Sequence, residues 1–263
     1  GPPEPASEPP GVPADAAAGP HATDTTHTMG IGAVVIEPIQ GRGGEVEPPA
    51  GFLAGLAKLC EAHGVVLIFD EIYTGLARTG DMFACEHEGV LPDILCVGKA
   101  LGGGVAISAA IGRPEVMASW GSSSGEAVHT STFLGNPLSC AMASAVLDVL
   151  CEEGWVEQVK QRGAVLAKKL HALQREFPAL IGRVRGRGYM LGLDLIAPGS
   201  ARDPNTKLAL ELMDRCRRRG YLVLPSGVYG NILALSPPFV TTDEQLDGFL
   251  QVLREELRLS KTG

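Results

Sequence analysis

The sequence lacks the features that mark membrane, secreted or nucleic-acid-binding proteins. Among its 263 residues no apolar run approaches the roughly 18 residues that a membrane-spanning helix needs. The N-terminus has no basic stretch followed by an apolar one, the pattern that marks a secretory signal. Lys and Arg number 22 against 30 Asp and Glu, and the net charge of −8 argues against nucleic acid or an anionic membrane as partner. These absences predict a cytoplasmic protein.

Closely spaced cysteines are also absent. The six cysteines are scattered and form no Cys-x-x-Cys pair, whereas a disulfide framework or a zinc site would need closer spacing. We therefore expect reduced, largely buried thiols and no metal site.

Charged and apolar residues are unevenly distributed, which suggests three segments. Residues 1–28 hold seven of the nineteen prolines and no Lys or Arg, which is typical of a linker or a disordered segment. The full sequence is 45% hydrophobic, which is enough to bury a sizeable core. We expect one domain over residues 29–154 and a smaller one over residues 155–263.

Apolar runs of strand length alternate with helical patterns in residues 29–154. Strands are predicted at residues 32–39, 65–71, 93–99 and 106–113, and helices at 52–64 and 136–154. This alternation predicts an α/β fold with a mainly parallel sheet and helices on both faces. Residues 155–263 predict an α+β domain, with helices near 155–177, 205–219 and 242–258 and short strands within 182–196, 221–224 and 231–239.

One lysine stands between an apolar run and a glycine cluster, in the stretch VGKALGGG. A phosphate-binding P-loop is excluded, because Asp93 and Ala100 occupy the positions of its glycine and its Ser or Thr. Asp70 and Lys99 each follow an apolar strand, and parallel sheets bind ligands at the carboxyl ends of their strands. An aspartate facing a pyridinium nitrogen, together with a lysine that forms an imine, is the arrangement that pyridoxal phosphate requires. Alone, Asp70 could equally be a helix N-cap.

Five segments, in order, resemble the class III (ornithine/GABA-type, ω-amino acid) aminotransferases that depend on pyridoxal phosphate. They are EPIQGRGG, IFDEIYTGLARTG, PDILCVGKALGGG, TSTFLGNPLSCAMA and RGRGYMLGLDL, and the match runs from about residue 30 to the C-terminus. The resemblance implies a PLP-transferase of fold type I. It also implies that an amino group passes from an amino acid or ω-amine to an oxo acid or aldehyde.

The resemblance also implies roles for individual residues. Lys99 matches the lysine that forms the Schiff base and moves the proton, and Asp70 matches the partner of the pyridinium nitrogen. Thr132 matches a threonine that binds the cofactor phosphate of the neighbouring subunit, which implies a homodimer with shared active sites; it could instead cap the following helix. Gln40 lines the site, and Tyr73 replaces a residue that is commonly Gln or Val, where its phenol can bind the 3-oxygen of the cofactor. Glu71 and Arg78 are expected to form a structural ion pair.

The chain departs from the family pattern at two linked positions. Many members place a glutamate after EPIQG and pair it with an arginine in a C-terminal Asn-x-x-Arg-Leu-x-Pro-Pro motif, but here these positions hold Arg42 and Ala234. We hypothesise that Arg42 binds the substrate carboxylate from the opposite wall, since a guanidinium is a planar bidentate donor. The alternative is that Arg42 faces solvent and the substrate is an ω-amine without that carboxylate.

The resemblance covers only the C-terminal part of the family. The first half, which supplies the phosphate-gripping loop and an aromatic ring stacked on the cofactor, must come from the same polypeptide or from a separate chain. The sequence therefore predicts a PLP-dependent aminotransferase that needs this half. A PLP-dependent 1,2-aminomutase and a catalytically silent structural or regulatory subunit are the alternatives.

Overall fold

The computed structural model describes residues 30–261 except 122, 124, 126 and 128. The segment 1–28, predicted to be a linker, lies outside the described residues. Within them, the strands are β1 (Ala33–Ile36), β2 (Val66–Asp70), β3 (Ile94–Val97), β4 (Ala109–Gly112), β5 (Ile181–Arg187), β6 (Met190–Leu195), β7 (Leu224–Ser226) and β8 (Ile232–Leu235). The α-helices are α1 (Phe52–His63), α2 (Pro114–Ala118), α3 (Pro137–Glu152), α4 (Trp155–Glu176), α5 (Thr206–Arg218) and α6 (Asp243–Lys261).

The first sheet has the strand order β1-β2-β3-β4 and is mainly parallel, as predicted. Strands β1, β2 and β3 run in the same direction, and β4 pairs antiparallel with β3. Helix α1 ends at Gly64, whose left-handed backbone suits the residue after a helix. It buries Leu53 and Cys60 against Leu67 and Phe69 of β2. This packing fixes the direction in which β2 delivers its last residue, Asp70.

The second sheet is antiparallel, with the strand order β5-β6-β8-β7. All six residues of β6 are buried, because helices pack on the sheet and form the largest core. Leu170 and Leu173 of α4, Leu212 of α5 and Leu253 of α6 are fully buried in that core. The helices and short strands predicted for this region are thus present. The domain boundary between residues 154 and 155 stays a prediction.

The strand predicted at residues 221–224 is displaced toward the C-terminus. The Tyr221 amide donates to the carbonyl of Cys216 at 2.9 Å, which ends α5 and keeps Tyr221 out of the sheet. The Tyr221 ring packs instead on Phe249 of α6, 5.6 Å between ring centroids. Pairing with β8 therefore begins only at Leu224.

Two glycines let α4 approach the turn between β5 and β6. A Cβ on Gly163 would lie 2.5 Å from the backbone of Gly188, so no side chain fits there. We expect Gly163→Ala to destabilise the fold by about 1–3 kcal/mol through overpacking. Gly55→Ala in α1 is the matched control, because nothing lies within 4 Å of its Cβ position; it should stabilise by about 0.5–1 kcal/mol. Urea unfolding measures both, and equal effects would contradict this view of the α4 contact.

Candidate functional site

Asp70 and Lys99 lie at the carboxyl ends of neighbouring parallel strands. Asp70 is the last residue of β2 and is in register with Cys96 of β3. Lys99 follows three residues after Cys96, beyond the end of β3 at Val97. The structure thus brings the two residues to the same edge of the first sheet, where α/β folds bind ligands.

The backbone at Lys99 is unusual for a residue with a side chain. Its φ is +46°, in the left-handed region, and it begins a short 3₁₀ helix over Lys99–Gly102. This conformation costs a non-glycine residue roughly 1–2 kcal/mol. A Cβ on Gly103 would lie 2.8 Å from the side chain of Val146, so α3 packs tightly over this turn. The surroundings thus hold the exposed Lys99 in a strained position, which is common at functional sites.

Tyr73 connects Lys99 with two other segments of the chain. The Lys99 ammonium lies 5.0 Å from the centroid of the Tyr73 ring, within the range of a cation–π contact. The Tyr73 hydroxyl is 3.4 Å from Oγ of Ser236, in the segment after β8. A Cβ on Gly41 would lie 2.9 Å from the Tyr73 ring, so only glycine lets the loop after β1 approach so closely.

The loop after β1 carries Gln40 and Arg42 on either side of Gly41, the residue that approaches the Tyr73 ring. Backbone hydrogen bonds of 3.0 and 3.2 Å join Gln40 to Val46 and close the loop. The Arg42 carbonyl accepts from the Gly227 amide at 3.1 Å, which attaches the loop to the second sheet. The Arg42 side chain is exposed, and no carboxylate among the described residues lies within ion-pair distance of it.

The turn after Asp70 is organised by Glu71, which is 1% exposed. Its carboxylate accepts from the Thr74 hydroxyl and from the amides of Ala84 and Cys85, the latter two at 2.9 and 2.7 Å. The expected ion pair between Glu71 and Arg78 is therefore wrong, since backbone amides and a hydroxyl satisfy Glu71 instead. The turn that carries Tyr73 depends on these three bonds.

Arg78 joins the same turn to the second sheet. Its guanidinium donates to the carbonyl of Pro237 at 2.7 Å and lies 4.5 Å from the centroid of the Phe239 ring. Its carbonyl accepts from the Tyr189 amide at 2.9 Å. Arg78 therefore links the segment after β2 with two segments of the second sheet.

Thr132 is not brought to this group by any contact among the described residues. It lies exposed in the turn that precedes α3, whose N-cap is Asn136 with its side chain accepting from Ser139 at 3.2 Å. The alternative role of Thr132 as a helix cap is thus taken by Asn136. Its predicted contact with the phosphate of a neighbouring subunit stays a prediction.

The polar groups at this edge suit a pyridine cofactor that carries an aldehyde. One carboxylate oxygen of the half-buried Asp70 accepts from the Ile72 amide at 3.0 Å, and the other has no partner among the described residues. That oxygen is available to a protonated ring nitrogen, and the exposed Lys99 amine is available to an aldehyde. By contrast, no group of three or more metal-ligating side chains occurs in the part of the chain that the structure describes. Across the same residues, no helix is both long and apolar enough to cross a membrane.

The family model for class III aminotransferases matches residues 19–257. This chain therefore belongs to the class III aminotransferase family, whose cofactor is pyridoxal 5′-phosphate. The fold is the α/β fold of type I PLP enzymes, as the solved structures below confirm.

Three relatives show how much of a family member this chain represents. It is 39% identical over 227 residues to a 4-aminobutyrate aminotransferase of Mycobacterium leprae (strain TN), covering 85% of this chain and 49% of the relative. An acetylornithine aminotransferase from Elizabethkingia anophelis superimposes with a TM-score of 0.76 at 37% identity, over 86% of this chain and 54% of that one. A PLP-bound amine transaminase from an uncultivated Pseudomonas species superimposes with a TM-score of 0.79 at 33% identity, over 86% of this chain and 52% of that one. The chain spans about half the length of these relatives.

The sequence does not point to two of the residues that the structure places around this group, Ser236 and Glu45, and it suggests the wrong partner for a third, Glu71. Ser236 lies two residues after Ala234 in the C-terminal motif and occupies a position that the motif leaves unspecified. Glu71 accepts hydrogen bonds from Thr74, Ala84 and Cys85 and not from Arg78. Glu45 lies in the loop of Gln40 and Arg42 and is buried there, although a glutamate after two glycines is typical of an exposed turn. No pattern in the sequence distinguishes such a buried glutamate from a solvated one.

Proposed function

We propose that this chain carries the lysine-bearing half of the active site of a PLP-dependent aminotransferase. The observation that supports this most is the placement of Asp70 and Lys99 at the carboxyl ends of adjacent parallel strands. The amino group would pass from an amino acid or ω-amine to an oxo acid or aldehyde. Both substrates are small molecules, and the cytoplasm stays the predicted location.

Pyridoxal phosphate, when bound, supplies an aldehyde that takes up amino groups and a ring that withdraws electrons. Nζ of Lys99 would be the covalent attachment point and, when free, the base that moves the substrate proton. The unpartnered oxygen of Asp70 would keep a proton on the ring nitrogen. Tyr73 would donate its hydroxyl to the 3-oxygen, and Gln40 would line the same wall.

The remaining parts of the site would come from the first half of the family, which this sequence does not match. The loop that grips the phosphate is supplied by the first half of family members, either attached to this polypeptide or as a separate chain. Phe133, Leu134 and Leu138 are 78%, 61% and 65% exposed around the start of α3, as expected for a surface that another chain covers. We infer a homodimer in which Thr132 binds the phosphate of the neighbouring subunit.

A half-reaction tests the proposal. The chain is co-expressed with the first half of a class III aminotransferase and loaded with pyridoxal phosphate, and the absorbance change on adding an amino donor is followed. We expect the amino donor to change the absorbance of the cofactor and an added oxo acid to restore the original absorbance. Isomerisation without any external acceptor would indicate the aminomutase, and no cofactor absorbance at all would indicate the silent subunit.

Arg42→Ala tests whether this loop binds a substrate carboxylate. A charge-assisted bidentate contact is worth about 1.5–3 kcal/mol, so we expect KM for 2-oxoglutarate to rise roughly 10- to 100-fold with a smaller change in kcat. Arg175→Ala is the control, because Arg175 is exposed near the end of α4 and has no ion-pair partner among the described residues. Unchanged half-reaction kinetics would instead favour a substrate without that carboxylate.

A further inference from the structure

Glu45 is a buried acid whose carboxylate makes no hydrogen bond of normal length and angle to any described residue. Only 1% of its surface is exposed, and neither carboxylate oxygen has a partner among the described residues. Its φ of +51° places it in the left-handed region, which a glutamate rarely adopts. A buried carboxylate that is neither paired nor bonded is costly, so a role in stability alone does not account for Glu45.

Two glycines of the second sheet leave room for this side chain. A Cβ on Gly192 would lie 2.8 Å from Oε2 of Glu45, and one on Gly186 would lie 3.3 Å from its Cβ. Gly192 is in register with Arg185 on one side and with Ala234 on the other. Glu45 therefore lies against the sheet beside the position where many family members have an arginine.

Two cationic side chains act on Glu45. Arg185 of β5 is held by an ion pair with Asp194 of β6, while its Nε is itself buried without a partner. Arg42 belongs to the same loop as Glu45, and its exposed side chain has no ion-pair partner among the described residues. The remaining polar neighbour is Ser226 of β7, whose hydroxyl is 3.4 Å from the carbonyls of Gly41 and Arg42.

Burial raises the pKa of Glu45 to about 7, although Ser226, Arg185 and Arg42 all act to lower it. Glu45 thus changes charge near neutral pH, three residues from Arg42 in a closed loop. Of the two arginines, Arg185 is fixed by Asp194. Arg42 is consequently the cation that can respond when Glu45 loses its proton.

We propose that Glu45 is a positioning residue that holds the Arg42 side chain against the second sheet when it is ionised and releases it toward the substrate when it is protonated. This inference rests on the proposed function for its effect on substrate. The movement itself requires neither cofactor nor substrate.

Chemical modification of Arg42 measures its position in the full chain. The rate of its reaction with phenylglyoxal, followed by peptide mass spectrometry, is divided by the rate at Arg175 at each pH. In the parent this ratio should fall several-fold between pH 6 and pH 8, and in Glu45→Gln it should stay constant. Glu47→Gln is the matched control, because Glu47 lies in the same segment but is only partly buried and forms an ion pair with Arg187. This variant should show the same pH dependence as the parent. A constant ratio in the parent, or the same fall in Glu45→Gln, would overturn the proposal.

Unfolding measurements provide a second readout that does not depend on Arg42 chemistry. Because the pKa of Glu45 is raised from 4.5 to about 7 on folding, its contribution to stability is complete below pH 4.5. This stabilisation is lost as the pH rises through 7. The equilibrium constant for folding should then be lower by up to about 300-fold than it is below pH 4.5. Arg42→Gln should move this loss to higher pH, because Arg42 lowers the pKa of Glu45. An unmoved midpoint would show that Arg42 and Glu45 do not interact and would refute the inference.

Both readouts separate this inference from the proposed function. If the half-reaction fails while the modification ratio and the unfolding midpoint respond as expected, the proposed function is wrong and the Glu45–Arg42 interaction stands. If the half-reaction proceeds while both readouts are flat, only the role of Glu45 is overturned.

Discussion

Lys99→Ala is expected to abolish covalent attachment of pyridoxal phosphate and to reduce amine transfer at least about 10³-fold. In the proposed function the lysine is both the attachment point and the base, and a positioned base alone contributes about 10²- to 10⁴-fold. The absorbance of the cofactor-loaded protein, followed by borohydride reduction and peptide mass spectrometry, locates the attachment. Lys58→Ala is the control, because Lys58 is exposed on α1 and should leave spectrum and rate unchanged.

A companion variant separates the chemistry of Lys99 from its backbone strain. Lys99→Gly should be more stable than Lys99→Ala by about 1 kcal/mol, because glycine adopts a φ of +46° without cost. It should nevertheless be as inactive as Lys99→Ala. Borohydride labelling of a different peptide in the parent would refute the assignment of Lys99.

Glu71→Ala is expected to destabilise the protein by about 3–5 kcal/mol. The substitution leaves the Thr74 hydroxyl and the amides of Ala84 and Cys85 buried without an acceptor, and each such group costs about 1–3 kcal/mol. The midpoint of urea unfolding is the measurement. Because the turn carries Tyr73, cofactor binding should weaken as well.

Two further variants show whether the effect arises from these bonds. Glu71→Gln keeps an acceptor oxygen and should lose less stability than Glu71→Ala. Glu61→Ala removes an exposed glutamate of α1 and should change the free energy of unfolding by no more than about 0.5 kcal/mol. A loss below about 1 kcal/mol for Glu71→Ala would mean that the turn holds without the carboxylate.

Local patterns were sufficient to predict the elements that hold Asp70 and Lys99. The runs that became β2 and β3 are continuous and apolar, and parallel strands end at a common edge. The caps of α1 and α3 were readable for the same reason, since Gly64 and Asn136 act within one turn of their own helices.

Contacts between distant segments could not be predicted in the same way. The hydroxyl contact from Tyr73 to Ser236 and the burial of Glu45 against Gly192 join residues more than 140 positions apart. The displacement of β7 has a similar cause, because packing of Tyr221 on Phe249 overrides the β-propensity of residues 221–223. The family resemblance supplied the roles of Asp70, Lys99 and Thr132, but it has no counterpart for Arg42 with Glu45.

Arg78 has a consequence for how the molecule comes apart. Its backbone and guanidinium bonds to Tyr189 and Pro237 cross between the two sheets, and a guanidinium that loses such acceptors inside the protein cannot shed its charge. Separating the sheets would therefore leave these buried groups without partners, at a cost of about 1–3 kcal/mol for each group. Amide protons of β2 and β6 should accordingly exchange through a single cooperative opening rather than as two independent units.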